Sequence, residues 1–154
     1  MISTLAASLE VTMLSVQQLL DHKPKGIFSV KPEEPVFAAI QKMAEHHVGA
    51  LLVMVGDRLA GIVSERDYAR KVALLGRSSS ETPVSDIMTS KVFTVTARQD
   101  INDCMRLMTD RRIRHLPVVS GERVIGVLSI GDLVRAVIEE QERTIADLET
   151  YIHG

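Results

Sequence analysis

Tryptophan is absent from this 154-residue chain, and aromatic residues make up only 3 % of it. Its core must therefore be aliphatic. Cysteine occurs once, at Cys104, which excludes an intrachain disulfide and fits a reducing compartment. An excess of one charge is also lacking: 18 Lys and Arg stand against 20 Asp and Glu, for a net charge of −2. Mixed charge of this kind gives no broad basic surface for non-specific nucleic-acid binding. The longest apolar stretch, Val48 to Val55, falls far short of the roughly 20 residues that span a bilayer. Met1 to Leu9 carries no positive charge ahead of its few apolar residues, so it does not read as a signal peptide. The expectation is a cytoplasmic protein without a membrane or nucleic-acid partner.

What is present is an internal repeat. Displaced against itself by 65 positions, the chain places residues 27–73 on 92–138 without a gap. Phe28 falls on Phe93, Val30 on Val95, Met43 on Met108, and Leu51 and Val53 on Leu116 and Val118. Gly56 and Arg58 fall on Gly121 and Arg123, and Gly61, Ser64, Asp67 and Arg70 on Gly126, Ser129, Asp132 and Arg135. Upstream, Val16 to Leu20 resembles Val84 to Met88 once three residues are skipped. Fixed-period self-similarity that includes glycines and polar residues marks a duplicated structural unit.

Each copy reads as β-α-β-β-α. A short extended piece, 27–30 or 92–95, is followed by apolar residues at helical spacing: Val36, Ala39, Ile40, Met43 and Ala44, then Ile101, Cys104, Met105 and Met108. Pro35 suits a first helical turn and Asp100 an N-cap. Strand-length runs follow at 50–55 and 59–63, and at 115–119 and 124–128, joined by Gly56-Asp57-Arg58 and Gly121-Glu122-Arg123 as hairpin turns. A second helix starts near Ser64 or Ser129. The expected organisation is an extension at 1–12, a first repeat at 13–75, a polar linker at 76–83, a second repeat at 84–138 and a C-terminal helix at 139–154 with an apolar edge at Ile145, Leu148 and Ile152.

The chemistry concentrates at Gly61-Ile62-Val63-Ser64-Glu65-Arg66-Asp67 and its counterpart Gly126-Val127-Leu128-Ser129-Ile130-Gly131-Asp132. Each sets Ser and Asp three residues apart where a strand ends and a helix begins. A helix N-terminus favours phosphate, and a carboxylate has acceptors for both hydroxyls of a ribose. The same spacing is also a near capping box with Asp in the Glu position. Both readings stand, since a duplicated fold duplicates its caps.

These residues carry a resemblance. From about Val16 to Ile138 the chain is similar to a tandem pair of cystathionine-β-synthase-type (CBS) domains, a Bateman module of the small stand-alone bacterial kind. The Gly-apolar-apolar-Ser-x-x-Asp ends carry it, with Ser29-Val30-Lys31-Pro32 and Thr94-Val95, and with Val48 to Leu51 and Ile113 to Val119. The resemblance implies an α/β fold: two β-α-β-β-α units packed with pseudo-two-fold symmetry, plus the C-terminal helix. It implies two pockets between the repeats for an adenine nucleotide such as AMP, ATP or NAD, with Asp on the ribose and Ser on ribose or phosphate. By motif, one pocket takes Ser64, Arg66 and Asp67 with Thr94, Val95 and Ile113 to His115. The other takes Ser129 and Asp132 with Ser29, Pro32, Gly49, Ala50, Arg114 and His115. The copies differ: Ala97 replaces Pro32, and Ile130-Gly131 replaces Glu65-Arg66, so the pockets are not equivalent. Arg66 either meets phosphate or pairs with an acid such as Glu65 on the helix surface.

The expected function is regulatory: ligand binding changes the repeats and a protein partner reads the change. No catalytic residue, catalytic cofactor or metal site is expected. The alternatives are an interaction subunit holding another adenosyl ligand such as S-adenosylmethionine, or none, and a nucleotide-processing enzyme. A homodimer is expected, through the faces Val36/Ile40/Met43 and Ile101/Met105/Met108. His46-His47 reads as a solvated helix end, Cys104 as a buried helix residue, and Arg111 to Arg114 as a solvated turn whose Arg114 points towards ligand phosphate in the CBS fold.

Overall fold

The computed structural model describes residues 14–23 and 26–153. The extension expected at 1–12 lies outside them. The protein is mixed α/β, with a three-stranded sheet, a two-stranded sheet and a long C-terminal helix. In order, the elements are α1 (Val16–His22), β1 (Ser29–Val30), α2 (Val36–His46), β2 (Ala50–Val55), β3 (Arg58–Ser64), α3 (Glu65–Tyr68), α4 (Ile101–Arg111), β4 (His115–Ser120), β5 (Arg123–Ser129) and α5 (Ile130–His153). A π-helical turn at Ala69–Ala73 prolongs α3, and a 3-10 turn lies at Val84–Asp86.

The chain divides into two compact units that interleave in sequence. One joins residues 14–23, 95–118 and 126–153; the other joins 26–94 and 119–125. In the second unit β1 pairs in parallel with β2 (Val30 opposite Val53), and β2 pairs antiparallel with β3 (Leu51 opposite Val63), with an irregularity between Val53 and Met54. Its aliphatic core contains Val30, Val36, Ala39, Met43, Leu51, Val53, Val63, Val72, Val84 and Ile87. The first unit has an independent core of Val16, Leu19, Val95, Ile101, Cys104, Met108, Leu116, Val118, Leu128, Leu133 and Ala136.

Most sequence-level elements appear where the periodicity places them. Pro35 is the N-cap of α2 rather than its first helical residue, and the Asp100 side chain caps α4 by accepting from the Asp103 amide. Both helices end on a left-handed residue, His47 at φ 53° and Arg112 at φ 54°. The extended piece expected at 92–95 shrinks to one parallel bridge, Val95 with Val118, where the Val95 amide donates to the Pro117 carbonyl at 3.0 Å. The helix expected after Ser129 and the C-terminal helix are one uninterrupted element, α5. No Pro or Gly stands between Asp132 and His153 to break it.

Two expectations change in physical meaning. Of the helix faces expected to seek a partner, Val36, Met43, Ile101 and Met108 are buried within their own units, while Ile40 and Met105 are only partly covered. The upstream segments, moreover, pack one repeat away from their place in sequence. Residues 16–22 join the second repeat, where the Val16 amide donates to the Gln99 carbonyl at 2.9 Å. Residues 82–89 join the first, where the Val36 amide donates to the Thr82 carbonyl at 2.9 Å and Ile62 and Thr89 exchange backbone hydrogen bonds.

Those segments explain Gly61 and Gly126. A Cβ on Gly61 would lie 2.7 Å from the Thr89 carbonyl oxygen and 2.9 Å from the Met88 sulfur. A Cβ on Gly126 would lie 2.7 Å from a terminal methyl of Leu20, whose side chain can rotate away. Leu20 and Met88 are the pair that the upstream similarity aligns. Gly61→Ala should therefore lower stability by about 1–3 kcal/mol, because a backbone oxygen cannot yield, and Gly126→Ala by less. Thermal melts of the two variants test this; equal losses, or a larger loss at Gly126, would contradict the packing.

Candidate functional site

Each Ser-x-x-Asp motif closes a strand-to-helix junction. At the first, the Asp67 amide donates to Ser64 Oγ at 3.2 Å, while Asp67 Oδ2 accepts from the Ser64 amide at 2.9 Å and lies 3.0 Å from Ser64 Oγ. The Glu65 amide donates to the Gly49 carbonyl at 3.0 Å, and Ala50 lies opposite Ser64 in the β2–β3 ladder. At the second, the Asp132 amide donates to Ser129 Oγ at 3.1 Å, Asp132 Oδ2 accepts from the Ser129 amide at 2.9 Å, and the Ile130 amide donates to the Arg114 carbonyl at 2.8 Å. The capping box is therefore real at both sites. Two of the first three helical amides are occupied, which narrows what the helix end itself can offer an anion.

The cation beside each carboxylate differs. Asp67 Oδ1 lies 3.4 Å from Lys71 Nζ, one helical turn on, and Lys71 also donates to the Ile87 carbonyl at 2.9 Å. Asp132 Oδ2 accepts from Lys23 Nζ at 2.7 Å, from a residue 109 positions away that follows α1, and Lys23 also donates to the Val127 carbonyl. Asp132 Oδ1 has no hydrogen-bond partner among the described residues. Burial pushes the Asp132 carboxyl up, but the hydrogen bonds from Lys23 and from the Ser129 backbone outweigh it and hold the group below the usual carboxylate range. His115 is held below the usual imidazole range, first by burial and then by Lys23, against the opposing pull of Asp132.

A cavity of about 180 Å³ opens beside Asp132, lined by residues of α1 and α5, among them Gln18, His22, Lys23, Arg135 and Glu139. Arg114 is exposed and His115 half-buried at the start of β4. At the first junction Arg66 is exposed, and no ion pair joins it to Glu65 or another described acid. In the same unit, the carbonyl of Ser29 accepts from Lys42 Nζ at 2.6 Å and that of Pro32 from the Ser85 amide at 2.9 Å. Thr94 precedes the Val95 bridge, and Ile113 follows the α4 cap with its amide on the Met108 carbonyl at 3.0 Å.

Sequence reasoning passed over both lysines. The Asp67–Lys71 spacing of four was available as an i,i+4 signal. Nothing local could connect Lys23 to Asp132. Cys104 is buried, and burial, then Asp100 and Asp103, push its thiol up to about 11, which leaves little reactive thiolate at neutral pH. His46 stacks on Phe28 with ring centroids 3.8 Å apart. Among the described residues no group of three or more His, Cys, Asp or Glu is placed to hold a metal, and no helix is long and apolar enough to cross a membrane.

A strand with a glycine at its middle running into a Ser-capped helix, twice in one chain, defines an α/β protein of tandem repeats whose junctions present paired Ser and Asp. The CBS domain family matches the chain at residues 21–74 and 84–139, so the chain belongs to that family as a tandem pair. It is 47 % identical over 127 residues to the CBS domain-containing protein CBSX3, mitochondrial, of Arabidopsis thaliana, covering 79 % of this chain and 62 % of that protein. It is thus similar to part of a longer protein there. A putative signal-transduction protein with CBS domains from Burkholderia ambifaria MC40-6 is 52 % identical, with a TM-score of 0.81, covering 83 % of this chain and 96 % of the other. The CBS domain pair of protein MJ0100, solved in complex with 5′-methylthioadenosine and S-adenosyl-L-methionine, shares the fold at 21 % identity and a TM-score of 0.73, covering 83 % of this chain and 98 % of that one.

The depressed Asp132 pKa has a definite sign. A carboxyl held low in the folded state adds stability above its unfolded pKa, and that stability is lost as pH falls through the folded value. Lys23→Met should lower stability at pH 7 by about 1–2 kcal/mol, as expected for a charge-assisted hydrogen bond. The gap from the parent protein should narrow in acid, once Asp132 is protonated in both and only the Lys23 bond to the Val127 carbonyl still separates them. Melting curves taken at neutral and acid pH check it; a deficit that persists unchanged in acid would mean Lys23 acts through its bond to the Val127 carbonyl and not through Asp132.

Proposed function

We propose that this CBS pair is a regulatory module that binds an adenine nucleotide of the AMP, ATP or NAD type and passes the occupancy on to a partner protein as a conformational change, without catalysing a reaction. The carrying observation is the duplicated junction at which Ser and Asp are held rigidly by each other at a helix start. A ribose diol needs a fixed carboxylate with spare acceptor capacity. Asp132 Oδ1 offers it directly, and Asp67 Oδ1 offers it against an ion pair of 3.4 Å. Phosphate charge would meet Arg66 at the first junction and Arg114, with His115, at the second. The relative from Burkholderia, described as a putative signal-transduction protein, is consistent with a non-catalytic role. S-adenosylmethionine, one of the ligands printed for the MJ0100 pair, is the second reading for the same ribose-binding chemistry.

Because each Asp also caps a helix, Asp→Ala removes two functions together, and Asp67→Asn and Asp132→Asn are the cleaner variants: Asn keeps one acceptor for the cap and loses the charge. Each should weaken nucleotide at its own site by about tenfold to a hundredfold. Calorimetric titration with AMP, ATP, NAD and S-adenosylmethionine decides the ligand class. Unchanged affinity in both variants would leave the motif a cap alone.

Arg66→Ala separates phosphate from ribose recognition. An exposed guanidinium one residue before Asp67 can meet phosphate with paired hydrogen bonds. The variant should lose affinity for ATP more than for AMP, and hardly at all for adenosine. An equal loss for all three, or none, would remove Arg66 from the site.

A further inference from the structure

The two oxygens of the Asp132 carboxylate are in different states. Oδ2 already has two donors, Lys23 Nζ at 2.7 Å and the Ser129 amide at 2.9 Å. Oδ1 accepts from no described residue. The hydroxyls of a ribose diol sit on neighbouring carbons, so a hydroxyl that takes Oδ1 brings its neighbour up to Oδ2. There the neighbour meets an ammonium. A second free hydroxyl in that place has to compete with Lys23 for an oxygen that is already taken. An anionic substituent in the same place finds a cation beside it.

The surroundings continue the pattern. Arg135 stands one helical turn beyond Asp132 on α5, and with His22 and Lys23 it lines the cavity of about 180 Å³ beside that carboxylate. It forms no ion pair with a described acid. Further along α5 the lining changes character. Arg143 is held by Glu140 at 3.2 Å, and Glu139 pairs with no described cation, so an anion is drawn to the Asp132 end. The first junction is built otherwise. The offset that lays Val16 on Val84 lays Lys23 on Lys91, which forms no ion pair with a described residue. Lys71 instead meets Asp67 at Oδ1, the oxygen that a hydroxyl would use. Ammonium and hydroxyl contend for one atom there, whereas at Asp132 they divide two.

We propose that the Asp132 junction selects an adenine nucleotide that carries a phosphate on its ribose, at the 2′ or the 3′ position. The remaining hydroxyl sits on Asp132 Oδ1, and the phosphate lies between Lys23 and Arg135. This selection rests on the adenine-nucleotide reading and narrows its ligand class. The donors suffice. An ammonium has three, and Lys23 spends one on Asp132 and one on the Val127 carbonyl, which leaves the third for a phosphate oxygen. The Arg135 guanidinium can add a paired contact. Dinucleotide sites use the same division of labour, an acid for a free ribose hydroxyl and a cation for a phosphate in its place. Here both groups stand side by side.

The test is calorimetric titration of the full chain carrying Asp67→Asn, which weakens the first junction. The ligands are adenosine, AMP, adenosine 2′,5′-bisphosphate and adenosine 3′,5′-bisphosphate. One bisphosphate should bind about tenfold or more tighter than AMP, and which one does so names the position. Lys23→Met should invert the order: the bisphosphate weakens, while AMP, now able to set both hydroxyls on the carboxylate, binds as well or better. Arg135→Ala should weaken the bisphosphate alone; being exposed on α5, it also serves if Lys23→Met fails to fold. Bisphosphates bound no tighter than AMP, or a preference that survives both substitutions, overturn the proposal and leave the adenine-nucleotide reading standing. An equal loss for all four ligands in either variant overturns it too, since that residue would then support the fold and not read the phosphate. A parent chain that binds no adenine compound at all overturns the adenine-nucleotide reading, and the proposal with it.

Discussion

Everything described at the two sites rests on one hydrogen-bonded loop: a carboxylate at the third helical position returning to the amide of the serine that caps it. The loop fixes the carboxylate in space before any ligand arrives. It also turns the chain sharply from β3 into α3 and from β5 into α5, and the first amide of each helix ties that turn to the start of the neighbouring strand, at Gly49 or Arg114. The capping role therefore does not compete with the proposed ligand-binding role. A carboxylate spends one oxygen on the cap and keeps another, and the rigidity supplied by the cap is what a binding group requires.

The fold was largely legible because its signals are local and duplicated. Apolar spacing at Val36, Ala39 and Met43, the hairpin glycines, and Asp100 as a cap each act within a few residues, and the second copy repeats them. What escaped depends on distance. The similarity of Val16–Leu20 to Val84–Met88 was visible, but not that each segment would pack a repeat away, against Gly126 and Gly61. Lys23 on Asp132 follows from the same exchange and has no sequence signature. On the faces read as partner-seeking, Val36/Ile40/Met43 and Ile101/Met105/Met108, four residues enter the core of their own unit and Ile40 and Met105 lie at its edge.

The two junctions thus differ in a second way, beyond Arg66 against Gly131. Lys71 lies one turn on from Asp67 in the same helical stretch, and its ammonium also holds the Ile87 carbonyl of the 82–89 segment. Lys23 arrives from α1, and its ammonium holds Asp132 and the Val127 carbonyl together. A ribose hydroxyl that takes Asp132 Oδ1 leaves this bridge intact. A diol that takes both oxygens must displace it and release the end of α1. Under the regulatory reading, each carboxylate is wired through a lysine to the segment packed on its junction, and at Asp132 that segment is the end of α1.

That route leads towards α5 as well. The cavity beside Asp132 is walled by Gln18, His22 and Lys23 on one side and by Arg135, Glu139 and Arg143 on the other. The helix that begins with the carboxylate runs uninterrupted to His153. A displacement of Lys23 changes charge at the first turn of α5, beside the cavity that residues of α1 and α5 line together. Helices are stiff over such lengths, so a small change of tilt at Asp132 becomes a larger one at Ile152.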